Sequence, residues 1–385
     1  MWPVTKNLKS SLNFLLASSF LMQMLVGTVG IAVPIYATEM GASPLLLGII
    51  GATGGLIYSF MPLVSGFFSD KFRRKPFIFA SMLLYSSSCI LYTLAENPHM
   101  FIPIKALEWI SVALFWPSTE ALLTEVSEGK LEEALKKFNL SWGSGIIIGP
   151  MIGGSLISAL GIKAKAPFYV SSAISLALSL LTIVIVREML ENKPARKYES
   201  SEPSKSTLIS ISTAVISILL LYSITGIVIS LFPAYATSLG IQAYEVGIIM
   251  LLNGLFRLIA FFEAYRIKSK VGANRMFLSG SLTLAIASAL IAISSTTFMF
   301  SIALSALGFG AGILYAASIA RILGGRESAR GYAAGLFESL IGAGYFLGSL
   351  AGGFVAEYAL NFPYILGALM SLAVALFQIL IKRKE

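Results

Sequence analysis

The stretch Pro34-Ile-Tyr-Ala-Thr-Glu-Met-Gly41 recurs 199 residues later as Pro233-Ala-Tyr-Ala-Thr-Ser-Leu-Gly240. The same offset relates a glycine-rich stretch that begins at Phe138 to one that begins at Phe337. Chance often aligns apolar residues in so hydrophobic a sequence, but it does not align Gly, Pro and Tyr in one register. The chain therefore consists of two copies of one unit.

The composition indicates a membrane protein. Of the 385 residues, 56% are hydrophobic and only 12% are charged, and the mean hydropathy is +0.83. Soluble domains carry about 25% charged residues, so most of this chain must lie where charge is costly. An apolar run of about 20 residues crosses a bilayer core of about 30 Å as a helix. We predict twelve such helices, near residues 12–38, 45–68, 76–95, 100–125, 137–160, 166–187, 207–238, 244–266, 275–294, 298–322, 332–357 and 360–381.

The repeat and the spans together predict an all-α polytopic membrane protein with twelve transmembrane helices in two pseudo-symmetric six-helix bundles. Long continuous apolar runs argue against a β-barrel, whose strands are alternating segments of about 10 residues. Because six is an even number, both copies enter the membrane in the same sense and pack about an axis along the membrane normal. We expect an N-terminal bundle at 1–187, a cytoplasmic linker at 188–206 and a C-terminal bundle at 207–385.

The net charge of +9 could suggest a nucleic-acid partner, but the positions of the charges indicate membrane topology instead. With the N-terminus inside, all but four of the 28 Lys and Arg residues fall in the termini and inner loops, as is usual for membrane proteins. We therefore predict a multi-pass cell-membrane protein with both termini cytoplasmic, surrounded by lipid, monomeric and without a nucleic-acid partner. The exceptions are Lys105, Lys163 and Lys165, placed outside, and Arg257, placed within a span.

Enzymatic signatures are missing from the sequence. There is no G-x-x-x-x-G-K-[ST] phosphate loop, no H-E-x-x-H motif and no G-x-S-x-G motif. A single cysteine and a single histidine allow neither an internal disulfide nor a His-based metal cluster. We expect no enzyme activity, no ATP binding and no cofactor. A repeated membrane unit is typical of proteins that move something across the bilayer, and an ion gradient, most simply of protons, would drive this movement.

A charged connection between the second and third spans reads Gly66-Phe-Phe-Ser-Asp70-Lys71-Phe-Arg73-Arg74-Lys75-Pro76. It resembles the signature G-x-x-x-D-[RK]-x-G-[RK]-[RK] that the major facilitator superfamily carries at this place. Arg73 stands where that family usually has glycine. The matching residues, which the resemblance makes candidates for a conformational gate, are Gly66, Asp70, Lys71, Arg74 and Lys75.

The resemblance implies the fold and mechanism of secondary transporters whose halves rock to alternate access to a small-molecule substrate near the midplane. It also implies that Asp70 closes the cytoplasmic side by meeting the N-terminus of the eleventh helix. A carboxylate gains about 0.3–1 kcal/mol at such a terminus. Arg74 would pair with Glu120 or Glu125 on the fourth helix.

Glycines recur at helical spacing in the fifth and eleventh spans. Small residues four apart let helix backbones approach closely. The fifth-span pattern resembles the latter part of a motif associated with exporters of the superfamily, although the upstream glycine is absent. It would serve helix packing, or contacts that slide as the halves rock. The pattern comprises Gly145, Gly149, Pro150, Gly153 and Gly154, and in the second copy Gly344, Gly348 and Gly352.

Charged residues within the spans are the candidates for substrate or ion coupling. Arg257 lies near the middle of the eighth span, where a lone charge costs between about 2.5 and more than 10 kcal/mol. It could pair with Glu338 across a cavity, or the two could simply hold helices together. Glu120 and Glu108 lie within the fourth span, and Glu108 could instead reach outward to the membrane surface. Acidic residues at outer helix ends, for which we expect no function, are Glu39, Glu245 and Glu357.

The sequence favours proton-coupled export of amphipathic or drug-like small molecules, because the path contains few polar groups. A proton-coupled importer of a sugar or an organic anion is the main alternative, and an anion would use Arg257 as its counter-ion. A membrane sensor or assembly factor that transports nothing is a third possibility, but it would not need Asp70.

Overall fold

The computed structural model describes residues 2–127, 130–186, 205–323 and 330–382. These residues form twelve long α-helices, two short 3₁₀ turns and no strand. All twelve helices are long and apolar enough to cross a membrane, which confirms the predicted spans. The helices are α1 Trp2–Glu39, α2 Pro44–Lys71, α3 Arg74–Leu94, α4 Phe101–Val126, α5 Leu131–Leu160, α6 Ala166–Ile185, α7 Lys205–Ser238, α8 Ala243–Val271, α9 Ala273–Ile293, α10 Thr297–Leu323, α11 Arg330–Ala356 and α12 Phe362–Lys382.

The start of α1 and the end of α12 lie on the same side of the bundle, because an even number of helices separates them. We call this side the terminal face and the other side the far face. The helix ends that differ most from prediction are on the terminal face, where α1, α5 and α8 run several residues beyond their apolar segments. Main-chain hydrogen bonds continue the helices there, although hydropathy no longer marks them.

The packing of the helices repeats in the two halves. In the first half α1 packs on α5, α3 on α6, and α4 on both α2 and α3. In the second half α7 packs on α11, α9 on α12, and α10 on both α8 and α9. Between the halves, α2 packs on α11 and α5 packs on α8. In the internal repeat α2 corresponds to α8 and α5 to α11, so these two inter-half contacts are copies of each other.

The stretch that opens the sequence repeat forms the end of α1 and the turn into α2, and its copy does the same between α7 and α8. Gly41 and Gly240 close these turns with φ of +85° and +82°, a conformation that glycine adopts without steric cost. The hydroxyl of Thr38 donates to Pro34 O at 2.8 Å, and the equivalent bond in the second half is 2.9 Å. The repeated glycine, proline and threonine are thus explained by one local structure used twice.

The glycines of α5 and α11 lie where helices of the same half touch. A Cβ on Gly145 or Gly149 would collide with the α1 carbonyls of Phe20 or Met24. Gly153 lies one turn farther along the same contact, against Thr28 O at 2.6 Å from its ideal Cβ. The α5 backbone therefore lies directly on α1.

The second half repeats this contact between α11 and α7. A Cβ on Gly348 would collide with Ser223 O, and one on Gly344 would lie 2.8 Å from Leu219 O. Gly352 meets the side chain of Ile227. Each bundle is therefore held by a glycine face that brings two helix backbones together.

Candidate functional site

A hydrogen bond joins the halves in the middle of the molecule. The hydroxyl of Tyr58 on α2 donates to Glu338 Oε2 on α11 at 3.1 Å. The Tyr58 ring also meets the ring of Trp109 edge-on, with centroids 5.4 Å apart. Tyr58 and Glu338 therefore join the two bundles through their side chains.

Glu120 is a second carboxylate at this place, from the opposite half. It lies on α4, six residues before the helix ends at Val126, and its side chain is exposed. Glu120 lies close enough to Glu338 for their charges to interact, so Glu120 faces the protein interior and not lipid. An exposed carboxylate inside a bundle needs water or a ligand beside it. Glu120 and Glu338 therefore give the region between the halves a polar character.

Arg257 contributes the positive charge of the site. Its Nη2 donates to Thr225 Oγ1 on α7 at 3.3 Å, and its Nε is buried without a hydrogen-bond partner among the described residues. Tyr222 and Tyr315 lie near Arg257 and also near Glu338.

The ion pair that Arg257 and Glu338 could have formed is not present, since each residue has another partner. Glu338 accepts its hydrogen bond from the first half, whereas Arg257 on α8 is turned toward α7 of its own half. These residues and the tyrosines between them form one group, which we call the central cluster. Its members are Tyr58, Glu120, Tyr222, Arg257, Tyr315 and Glu338.

The tyrosines of the central cluster were not among the residues singled out from the sequence. A signal for one of them was present, because Tyr58 and Arg257 are 199 residues apart and occupy the same position in the two copies. The intramembrane arginine thus marked the position of its tyrosine counterpart. Tyr222 and Tyr315 had no such signal, since aromatic residues are common throughout the spans.

Glu108 lies away from the central cluster in a buried ion pair. Lys105 Nζ lies 2.9 Å from Glu108 Oε1, and the side chains are only 6% and 1% exposed. The hydroxyl of Tyr92 donates to the other carboxylate oxygen at 2.7 Å. Glu108 therefore does not reach the membrane surface, which corrects that expectation, and Lys105 lies in the predicted fourth helix. Lys105 lines a small cavity between the halves together with Ser230 and Tyr345.

The expected gate lies at the end of α2 on the terminal face. The side chains of Asp70 and Lys71 lie outside the described residues, so the contact expected between Asp70 and α11 stays a prediction. Arg74 pairs with Glu125 and also donates to Ala121 O at 3.4 Å. Of the two acids expected to pair with Arg74, Glu125 does so, while Glu120 belongs to the central cluster.

The remaining gate candidates are Lys75 and Gly66. Lys75 Nζ donates to Ile183 O at 2.6 Å and to Val186 O at 3.0 Å, and so satisfies carbonyls at the end of α6. At Gly66 a Cβ would meet only the side chain of Pro117, at 4.0 Å. Close approach of another helix therefore does not require glycine at this position.

Two backbone crossings join the halves on the far-face side of the central cluster. A Cβ on Gly48 of α2 would lie 2.6 Å from Ser349 O of α11. At the equivalent place in the other crossing, a Cβ on Gly247 of α8 would lie 2.7 Å from Pro150 O of α5. Gly154 continues the second crossing, because its Cβ would collide with the main chain of α8. The far face is thus closed by main-chain contact.

A family model described as Major Facilitator Superfamily matches residues 15–262 and 214–385. The chain belongs to this superfamily. It is a multi-pass membrane transporter and not an enzyme, as its relatives and the twelve apolar helices show. Superfamily membership also accounts for the charged signature after the second span.

Relatives within the superfamily resemble the chain over most of its length. An uncharacterised MFS-type transporter of Methanocaldococcus jannaschii, MJ1560, is 24% identical, over 88% of this chain and 89% of its own. The quinolone resistance protein NorA of Staphylococcus aureus is 22% identical, over 92% of each chain. Multidrug resistance protein 1 of Bacillus subtilis is 27% identical over 50% of this chain and 48% of its own.

Solved structures of the superfamily share the fold. A mutant of the nucleoside transporter NupG superposes with a TM-score of 0.82 at 16% identity, over 97% of this chain and 99% of its own. A bacterial homologue of the lysosomal transporter Spinster, solved in an inward-facing and unoccupied conformation, gives a TM-score of 0.70 at 14% identity. It aligns over 99% of this chain and 96% of its own.

Proposed function

We propose that the protein is a proton-coupled exporter of amphipathic, drug-like small molecules in the cell membrane. The observation that carries this proposal is the central cluster, in which Glu338 accepts a hydrogen bond from Tyr58 across the halves and the exposed Glu120 of the opposite half lies nearby. The resistance proteins among its relatives support the same substrate class. The proton gradient would be the only energy source needed, since the sequence has no phosphate loop for ATP.

The chemistry of the central cluster suits coupling. The repulsion between two nearby carboxylates is reduced either by a proton or by the positive end of a substrate. The binding of one therefore opposes the binding of the other, which is the requirement for exchange of substrate against protons. Because Glu338 also accepts from Tyr58 across the halves, a change of its charge acts directly on the contact that rocking must break.

We infer that the central cluster is reached from the cytoplasm, which fits a loading state. Main-chain crossings close the far face, whereas the exposed Glu120 lies near the terminal-face end of α4. With both termini in the cytoplasm, as the distribution of Lys and Arg predicts, the central cluster would be reached from the cytoplasm. An exporter collects its substrate in that state, and alternating access then delivers the substrate outward.

Proton-driven uptake of a lipophilic fluorescent cation into inside-out vesicles tests the proposal. We expect uptake that a protonophore abolishes, and uptake at least about tenfold slower in Glu338→Gln and in Glu120→Gln because each substitution removes a titrating group. Glu39→Gln is the matched control, since Glu39 is exposed at the end of α1 with no hydrogen bond to the described residues. Proton-coupled uptake in both cluster variants at the control rate would place coupling elsewhere and overturn the proposal.

One observation favours a second candidate, the import of an organic anion. The buried Nε of Arg257 has no partner among the described residues, and a substrate carboxylate or phosphate would supply one. Anion accumulation in cells that Arg257→Lys abolishes, together with no export of the cation by the parent protein, would favour this candidate over export.

A further inference from the structure

The first turn of α2 uses an acceptor from the other half. The first N–H groups of a helix have no partner within it. Here Pro44 has no N–H, and the N–H of Leu46 donates to its N-cap Ser43 Oγ at 3.2 Å. The N–H of Leu45 donates instead to Glu357 Oε1 at 2.7 Å, and Glu357 directly follows the last residue of α11.

The first turn of α8 is built in the same way. Its N-cap Gln242 and Glu245 satisfy each other's main-chain N–H groups in a capping box. The N–H of Tyr244 donates to Ser158 Oγ near the end of α5 at 2.9 Å. In both helices the second N–H is therefore satisfied by the opposite half.

These two bonds are the same bond in the two copies. Leu45 and Tyr244 are 199 residues apart, and so are Ser158 and Glu357. Each bond crosses between the halves at the far face, one beside the α2–α11 crossing and the other beside the α5–α8 crossing. Rocking that opens the far face must break both together and return both donors to water.

We propose that Glu357 and Ser158 are the acceptors of a paired latch that holds the far face closed during the transport cycle, a role that rests on the proposed alternating-access motion. We call these two bonds the far-face latch. Glu357 is the stronger acceptor, because it brings a negative charge to the positive end of a helix. Bonds to a charged acceptor are also shorter and stronger than neutral ones, in line with 2.7 Å against 2.9 Å.

The other acids at far-face helix ends do not cross between the halves. Glu245 accepts from the main chain of Gln242 and from the hydroxyl of Thr297, both in its own half. Glu39 has no hydrogen bond to the described residues. The far-face latch thus gives Glu357 a function that its position in the sequence did not suggest, and leaves Glu39 as a matched control on the same face.

The far-open and far-closed populations can be measured as the distance between two spin labels. Glu96→Cys and Ser295→Cys lie in exposed far-face loops related by the repeat, in a Cys89→Ala background. We expect Glu357→Gln to raise the ratio of far-open to far-closed molecules by about two- to fivefold. High salt should shrink the difference, and Glu39→Gln should leave the ratio unchanged.

A gain-of-function variant separates the far-face latch from damage to the fold. Ser158→Glu places a second carboxylate at the equivalent acceptor position, so it should lower the far-open ratio by a similar factor. Combined with Glu357→Gln, it should restore a ratio close to that of the parent protein. Ser158→Ala should raise the ratio by less than Glu357→Gln, because it removes only a neutral acceptor.

The two ideas fail in different ways. Suppose that two label distances are seen and that the ratio of far-open to far-closed molecules is the same in Glu357→Gln, Ser158→Glu and Glu39→Gln. That result would overturn the far-face latch while alternating access stands. One fixed distance in every variant, with and without the fluorescent cation and a proton gradient, would overturn alternating access and the far-face latch with it.

Discussion

At the scale of single residues, the least expected feature is the buried Lys105–Glu108 pair, because charge within a membrane span is costly. The pair is neutral as a unit, and Tyr92 satisfies the second carboxylate oxygen. A buried pair of this kind adds little net stability over apolar residues of the same size, but losing one member leaves a buried charge alone. The ammonium also lies over Trp109, 5.8 Å from its ring centroid.

Glu108→Gln should therefore destabilise the protein by about 3–5 kcal/mol. The amide keeps an acceptor for Tyr92 but leaves the ammonium of Lys105 without its counter-ion. Unfolding can be followed with a thiol-reactive fluorogenic maleimide, because the single cysteine, Cys89, is fully buried in the folded state. Adding Lys105→Met should recover most of the loss. A Glu108→Gln protein that unfolds like the parent would show that the pair does not form.

At the scale of helices, the sequence predicted the number of spans and most of their ends, but not the terminal-face ends of α1, α5 and α8. Long apolar runs mark the hydrocarbon core, but they do not mark the polar turns of α1, α5 and α8 beyond it. Partners across helices were harder to predict, since they depend on how each helix is rotated. Arg257 and Glu338 were sound candidates because charge in a span is costly, yet their rotation gives them Thr225 and Tyr58 as partners.

The α1–α5 contact makes a prediction at this scale. Gly149→Ala should destabilise the protein by about 1–3 kcal/mol, because the added methyl group would meet Met24 O and the Gly27 Cα of α1. Gly30→Ala is the matched control in α1, since a Cβ there has nothing within 4 Å. Thiol labelling of Cys89 on heating reports both variants. Equal unfolding of Gly149→Ala and Gly30→Ala would show that α5 does not lie directly on α1.

At the scale of the whole molecule, the repeat explains why the far face closes in two places at once. Each half supplies one helix start and one helix end, so the crossing of α2 with α11 and that of α5 with α8 are copies of one contact. The central cluster is not duplicated in this way, because Tyr58 in one half stands opposite Arg257 in the other. A symmetric frame thus carries an asymmetric site, and the orientation in the membrane decides which solution that site meets.

The orientation is itself testable, and it decides how the closed far face is to be interpreted. In a Cys89→Ala background, Glu96→Cys on the far face should react with a membrane-impermeant maleimide in intact cells. Lys130→Cys, exposed just before α5 on the terminal face, should react only in inside-out vesicles. This pattern follows from the excess of Lys and Arg on the terminal face. The reverse pattern would place the termini outside, and the closed far face would then face the cytoplasm. The central cluster would meet the exterior in that case, and the same structure would be the loading state of an importer.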